Sequence, residues 1–272
     1  MALVVNTNTY SLNAQKNLAN HGEKLGGSFA KLSSGLRIVS AADDAAGLGI
    51  SERMRAQIRS LDMASRNAQD GVSLAQTAEG ALGEVSSNLV RMRELAVESA
   101  NGTLSTADRT SLNDEFTALL SEIDRVATQT NFNGTSLLSA ASTISLQVGT
   151  DSGQTIDVST VDMQTTALGI NASTITDATA ASAALGLMDT AISAVVAQRG
   201  DFGATQNRLQ SAMRSIQTTS ENLSGAESRI RDVDVAKETA ELTKNRIMQQ
   251  AAVSILAQAN TQPQLAMSLL QG

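Results

Sequence analysis

The stretch from Asp44 to Ser99, DAAGLGISERMRAQIRSLDMASRNAQDGVSLAQTAEGALGEVSSNLVRMRELAVES, decides the fold. Its apolar positions are Ile50, Met54, Ile58, Leu61, Ala64, Ala68, Val72, Ala75, Ala78, Leu82, Val85, Leu89, Met92 and Ala96. They recur every three or four residues and no Pro interrupts them. That spacing predicts one amphipathic helix of about 84 Å, with the alternating three-and-four rhythm of a coiled coil. Asn101-Gly102 ends it.

Working outward, residues 106–130 repeat Leu112, Phe116, Leu119, Ile123 and Val126 at helical spacing behind a Ser105/Asp108 capping pair. Asn131-Phe132-Asn133-Gly134 stops that helix. Between 138 and 180 the texture changes. Ile144, Leu146 and Val148 alternate with Ser145 and Gln147, and Ile156 and Val158 alternate after Asp151-Ser152-Gly153, which predicts one small β-hairpin. The helical rhythm returns from about Ala181 through Leu185, Met188, Ile192, Val195, Phe202, Leu209, Ile216, Leu223 and Ile230. Arg231-Asp232-Val233-Asp234 breaks it and opens a last helix with an Asp cap. Pro263 is expected to interrupt that helix just before Leu265, Leu269 and Leu270.

On the N-terminal side, Val5, Leu12, Leu18/Ala19, Leu25, Phe29, Leu32 and Leu36 predict a first helix. Gly22, Gly26 and Gly27 weaken it, each by about 1 kcal/mol against Ala, so it should order poorly alone. Ser40 with Asp43 reads as the N-cap pair of the long helix. The layout is nearly palindromic, and the simplest packing folds the chain back at the insert. The expected fold is therefore mainly α: a long antiparallel coiled-coil or helix-bundle rod with one small β-hairpin. Residues 1–43 and 233–272 form a terminal coiled-coil domain, and 44–232 a helix-bundle domain with a variable insert at about 138–180.

Composition fits thin helix seams. Apolar residues make up 42% of the 272, but aromatics only 2%, with one Tyr, four Phe and no Trp. With no Cys and a single His, His21, the chain holds no thiol nucleophile, zinc-thiolate site or His-based triad. Net charge is −7, which disfavours nucleic acid. No apolar run reaches the roughly 18–20 residues of a membrane span, and Met1–Tyr10 lacks the pattern of a signal peptide. The charge is uneven: residues 44–232 carry 13 Lys/Arg against 22 Asp/Glu, while the two ends are nearly neutral. Nearly neutral ends can approach copies of themselves, and an acidic middle keeps the particle soluble.

Isolated chemical signals have plainer explanations. His21 has no second ligand in view. Asp43-Asp44 fits a helix N-terminus better than a paired catalytic carboxylate. Arg199-Gly200-Asp201 lies within a helical pattern. Asn101, Asn133, Asn171 and Asn222 open N-glycosylation triplets, a pattern short enough to arise freely here. Arg91 and Leu95, four apart, share a face away from the Leu89–Met92–Ala96 stripe. Leu95 there is either a contact to helix 106–130 or part of a docking patch.

Several motifs carry a family resemblance. Asn6, Ser11-Leu12-Asn13, residues 32–38 (LSSGLRI), 41–48 (AADDAAGL), 66–71 (RNAQDG), 90–97 (VRMRELAV), 122–126 (EIDRV), 132–134 (FNG), 203–209 (GATQNRL) and the run 249–270 resemble bacterial flagellins over nearly the whole chain. The insert is far shorter than the outer domains flagellins commonly carry, so the chain resembles a short form. The resemblance implies a structural subunit that polymerises into the flagellar filament for swimming, not an enzyme, with no cofactor and no metal. It implies secretion unfolded through the flagellar channel to an extracellular filament. The implied partners are further copies of the chain, an export chaperone, and cap and junction proteins. The terminal stripes, including Leu12, Leu25, Leu32, Leu36, Ile255, Leu265, Leu269 and Leu270, then serve assembly. It also implies that a host Toll-like receptor senses the monomer at Arg91 and Leu95, with Glu115 at the matching acidic position. The rival readings are a hook–filament junction protein and a secreted coiled-coil adhesin.

Overall fold

The computed structural model describes residues 7–271, with side chains described through residue 261. Five helices account for most of the chain: α1 Thr9–Ser34, α2 Ala45–Ser99, α3 Thr106–Gln129, α4 Ala178–Arg231 and α5 Val235–Gln271. The strands are short: β1 Asn131–Phe132 with β2 Thr135–Ser136, and β3 Ser142–Gln147 with β4 Thr155–Thr160, each pair antiparallel. The fold is mainly α with small β elements, as the periodicity predicts.

Two compact units result: residues 1–56 with 222–272, and residues 57–221. In the second, the stripe read from α2 is the core. Every stripe residue from Leu61 to Ala96 is buried, and Phe116, Leu120 and Ile123 of α3 and Met188, Val195 and Phe202 of α4 are buried with it. Ile50, Met54 and Ile58, earlier on the same stripe, stay partly or largely exposed. The β3–β4 hairpin pairs Ile144 with Val158 and Leu146 with Ile156. It closes on α2 at Gly71, where a Cβ would collide with the Leu146 Cδ1 methyl and lie 3.1 Å from Leu209 Cδ1. The loop between β4 and α4 contributes more than connection: Met163, Ile170 and Ile175 are buried in the core cluster.

An 18-residue window of α4 reaches a mean hydropathy of 1.6, long and apolar enough by length and composition to cross a membrane. That corrects the expectation that no run approaches a span. In the fold, the stripe Ala181, Ala184, Met188, Ala191 and Val195 is buried in the bundle core.

In the first unit, α1 packs against α5. Asn8 caps α1 by accepting the Ser11 N–H at 3.1 Å, and Gly35 ends it in the left-handed region at φ 73°, donating to Lys31 O at 2.9 Å. The breaks on either side of the long helices meet each other. Leu36 bridges Asp232, Arg37 N donates to Arg231 O at 2.6 Å, and Val233 N donates to Gly35 O at 3.0 Å. These bonds place the breaks inside the first unit, and the unit boundary falls further along, within α2 and α4.

Three local expectations are corrected. The N-cap of α2 is Asp44, whose Oδ1 accepts the Gly47 N–H at 2.8 Å, while Ser40 and Asp43 close the preceding turn. A Cβ on Gly47 would crowd the Asp44 carboxylate and lie 2.7 Å from Ile38 Cδ1, so both side chains would have to shift. Asn133-Gly134 does more than stop α3: at φ 49° and 81° it turns a second, two-residue hairpin. Gly22, Gly26 and Gly27, expected to weaken α1 when it is alone, lie here within one continuous helix that packs against α5. The α5 helix runs on through Pro263 to Gln271.

Candidate functional site

The α1–α5 pair has an inverted pattern of burial. On α1 the inward positions are Ser11, Ala14, Leu18, His21, Leu25, Ser28 and Leu32. On α5 they are Glu238, Leu242, Asn245, Gln249, Ala252, Leu256 and Ala259. Both runs step by alternating threes and fours, the spacing of an antiparallel two-stranded coiled coil. Asn8 Nδ2 donates to Ala259 O at 2.7 Å, Ser11 Oγ donates to Asn260 Oδ1 at 2.9 Å, and His21 Nδ1 lies 3.4 Å from Asn245 Oδ1. The fully buried members are small or polar: Ser11, Ala14, Ser28, Asn245, Ala252 and Ala259.

Five leucines share that inward face and are half-buried, Leu18, Leu25, Leu32, Leu242 and Leu256, while a second set of large apolar residues points the other way. Leu12 is 57% exposed and Ile255 61%, and Tyr10, Phe29, Val235, Ile247, Met248 and Val253 are exposed with them. Among the described residues, neither α1 nor α5 contributes to the two apolar core clusters. A groove of about 370 Å³ runs between the helices, lined by Tyr10, Ala14, His21, Met248, Ala252 and Ile255 among others.

Of the residues expected to serve assembly, Leu12 and Ile255 therefore face out. Leu25, Leu32 and Leu36 are half-buried within their own unit. Leu265, Leu269 and Leu270 lie outside the described side chains. The sequence stripe mixed the two faces because the buried seam positions between the leucines are Ser11, Ala14, Ser28, Asn245, Ala252 and Ala259, which a hydrophobic pattern overlooks.

The second candidate surface lies on α2 and α3. Arg91 Nε donates to Glu115 Oε1 at 2.8 Å and its Nη1 to Glu94 Oε2 at 3.2 Å. The bond to Glu115, then that to Glu94, raises the Arg91 pKa above its ordinary value. All three side chains are open to solvent, Arg91 at 49%. Leu95 is not beside them on the surface. It is 0% exposed and belongs to the cluster that includes Phe116 and Leu120 of α3. Its burial corrects the exposed docking position and places Leu95 in the bundle core to which α3 also contributes. Between α2 and α4, Arg93 Nε donates to Asp189 Oδ1 at 2.6 Å, which lowers the Asp189 pKa.

A third feature ties the chain breaks. Glu52 accepts from Arg231 at 2.6 Å and Arg55 at 3.3 Å, and Arg55 reaches Glu227 at 3.6 Å. The bond from Arg231 holds the Glu52 carboxyl below its usual range. Asp43 is lowered chiefly by the Ser40 N–H and hydroxyl. Among the described residues no cluster of three metal-ligating side chains occurs.

An unclosed apolar helix pair attached to a well-packed bundle is the architecture of a self-assembling structural protein. Residues 5–143 match the bacterial flagellin N-terminal helical region and residues 185–270 the bacterial flagellin C-terminal helical region. The chain is 50% identical to the flagellin of Halalkalibacterium halodurans over 99% of its own length and 100% of that protein's. It is 40% identical to the flagellar filament 33 kDa core protein of Treponema phagedenis, over 99% of this chain and 100% of that one. The crystal structure of Bacillus cereus flagellin superposes with a TM-score of 0.52 at 35% identity, covering 60% of this chain and 94% of that one. The chain belongs to the bacterial flagellin family. It is a structural filament subunit and not an enzyme, and its length matches a form without large outer domains.

Proposed function

We propose that this chain is exported and polymerises through its terminal helix pair into an extracellular flagellar filament that drives swimming. The observation that carries this reading is the outward placement of Leu12, Phe29, Ile247, Val253 and Ile255 on a helix pair whose fully buried seam positions are all small or polar. Apolar surface left in water costs roughly 25 cal/mol per Å², and stacking copies removes it. A head-to-tail contact that does not close yields an open helical polymer. An export chaperone covering the same faces before assembly, and cap and junction proteins presenting matching ends, follow from this reading.

The test is electron microscopy of purified chain, wild type beside a Leu12→Asp/Ile255→Asp double variant. Long filaments from the wild type and none from the variant support the proposal. Filaments from both overturn the role of the outward faces. Short caps or no polymer from the wild type favour the junction-protein or adhesin reading. The full-length similarity to flagellins, through the middle as well as the ends, weighs against those two.

We also infer that a host Toll-like receptor senses the monomer at Arg91 with Glu115, where a forked donor stands beside an exposed carboxylate. Leu95, inside the core, then acts by holding α2 against α3. A receptor-reporter assay on monomer tests this. Arg91→Ala should weaken the response on the order of tenfold, and an unchanged response would remove Arg91 from the site.

A further inference from the structure

We propose that Asn101 is a self-modifying site: the Asn101-Gly102 peptide deamidates to isoaspartate or aspartate, promoted by Arg109 and the Thr103 backbone. The dipeptide sits exposed just beyond α2, and nothing lies within 4 Å of where a Gly102 Cβ would stand. Thr103 N donates to Asn101 Oδ1 at 3.2 Å, an Asx turn that folds the side-chain amide over the peptide following it. Arg109 Nη2 donates to Asn101 O at 2.9 Å, while its Nε is anchored on Ser99 O at 2.9 Å.

These bonds act on the two reacting groups. Asn101 O belongs to the peptide whose nitrogen is Gly102 N. A cationic donor on that oxygen draws electron density from the amide and eases loss of the Gly102 proton to solvent base. The Thr103 N–H stands where negative charge collects when the side-chain carbonyl is attacked, as a donor in an oxyanion hole does. Gly102 N attacks Asn101 Cγ, an N–C bond forms, and the electron pair moves to Oδ1. The adduct collapses, the C–Nδ2 bond breaks, and the nitrogen takes up a proton and leaves as ammonia. Water then opens the five-membered imide at either carbonyl. Water enters, ammonia leaves, and one negative charge is gained beside Arg109.

The same chain holds an internal control. Asn133-Gly134 has the same dipeptide, but it is the locked turn between β1 and β2, with φ 49° and 81° and Phe132 paired to Thr135. Among the described residues its side chain has no donor like Thr103 N and its carbonyl no Arg. Reaching the attack geometry there requires opening the hairpin.

The experiment incubates purified monomer at mildly alkaline pH and follows both sites by peptide mapping, with isoaspartyl methyl-transfer as a second readout. Asn101 should react on the order of tenfold faster than Asn133 in the folded chain, and the two should react alike in urea. Arg109→Gln and Thr103→Pro, the latter removing the donor N–H, should each lower the Asn101 rate toward that of Asn133. Circular dichroism checks that both variants fold, and if either does not, the ratio of the two sites in wild type, folded against urea, decides alone. Equal rates at the two sites in the folded protein, or a folded Asn101 rate that both variants leave unchanged, overturns the proposal.

Discussion

The seam of α2 with α3 and α4 buries Leu82, Leu89, Met92, Phe116, Met188, Val195 and Phe202, whereas the seam of α1 with α5 buries Ser11, Ala14, Ser28, Asn245, Ala252 and Ala259. Both seams follow the coiled-coil rhythm, so periodicity alone does not separate them. What separates them is side-chain size on each face. The bundle places its large apolar groups inward and is complete as one chain. The terminal pair fully buries only small or polar groups, leaves its inward leucines half-buried and turns Leu12, Phe29, Ile247, Val253 and Ile255 outward, so further hydrophobic stabilisation becomes available when a copy covers it.

The comparison breaks first under truncation. Removing residues 1–35 or 240–272 should abolish filaments in a sedimentation assay while the bundle keeps its melting transition. Pelleting polymer from either truncation would contradict the division of roles.

Single core substitutions come next. Leu82→Ala or Leu95→Ala should destabilise the monomer by about 2–5 kcal/mol in urea unfolding, the usual cost of a cavity at a fully buried Leu. Leu12→Ala, at an exposed site, should leave that transition unchanged and raise only the concentration needed for polymerisation.

Glycines sharpen the contrast more gently. Gly71→Ala should cost about 1–3 kcal/mol, because a Cβ there must displace the Leu146 side chain. Gly26→Ala meets no atom within 4 Å and should stabilise α1 by up to about 1 kcal/mol. Thermal melts of the two variants should therefore move in opposite directions.

The smallest effect concerns the linked chain breaks. Asp43 and Glu52 titrate below their ordinary values of 3.8 and 4.5. The fold thus favours their ionised forms. Their contribution is complete above those ordinary values and is lost as pH falls through the depressed ones. Glu52→Gln and Asp43→Asn should flatten the acid limb of stability in that window, and added salt should shrink the Glu52 difference. An acid limb as steep in both variants as in wild type would remove these carboxylates from the account.

Much of this was legible in the residues. The α2 stripe named the bundle core from Leu61 to Ala96, and Ser105/Asp108 forms the full capping box expected of it. The faces of the terminal helices were not legible, because Ser11, Ser28 and Asn245 carry burial without hydrophobicity. Leu95 was misplaced by measuring its angle from one stripe. A helix packed in a bundle core buries more than one stripe, and Leu95 lies on a second buried one. The Asn133-Gly134 hairpin had its signal in the sequence, but the adjacent helix end masked it. The burial of Met163, Ile170 and Ile175 had no periodic signal, since a loop that plugs a core follows no repeat.

The central claim is that the terminal pair completes its packing only in the polymer. Hydrogen–deuterium exchange of monomer and filament, compared peptide by peptide, tests it most directly. The account predicts a large gain of protection across Thr9–Ser34 and residues 235–261 on assembly, with little change at Leu61–Ala96, already slow in the monomer. Equal protection of the terminal helices in monomer and filament would contradict it.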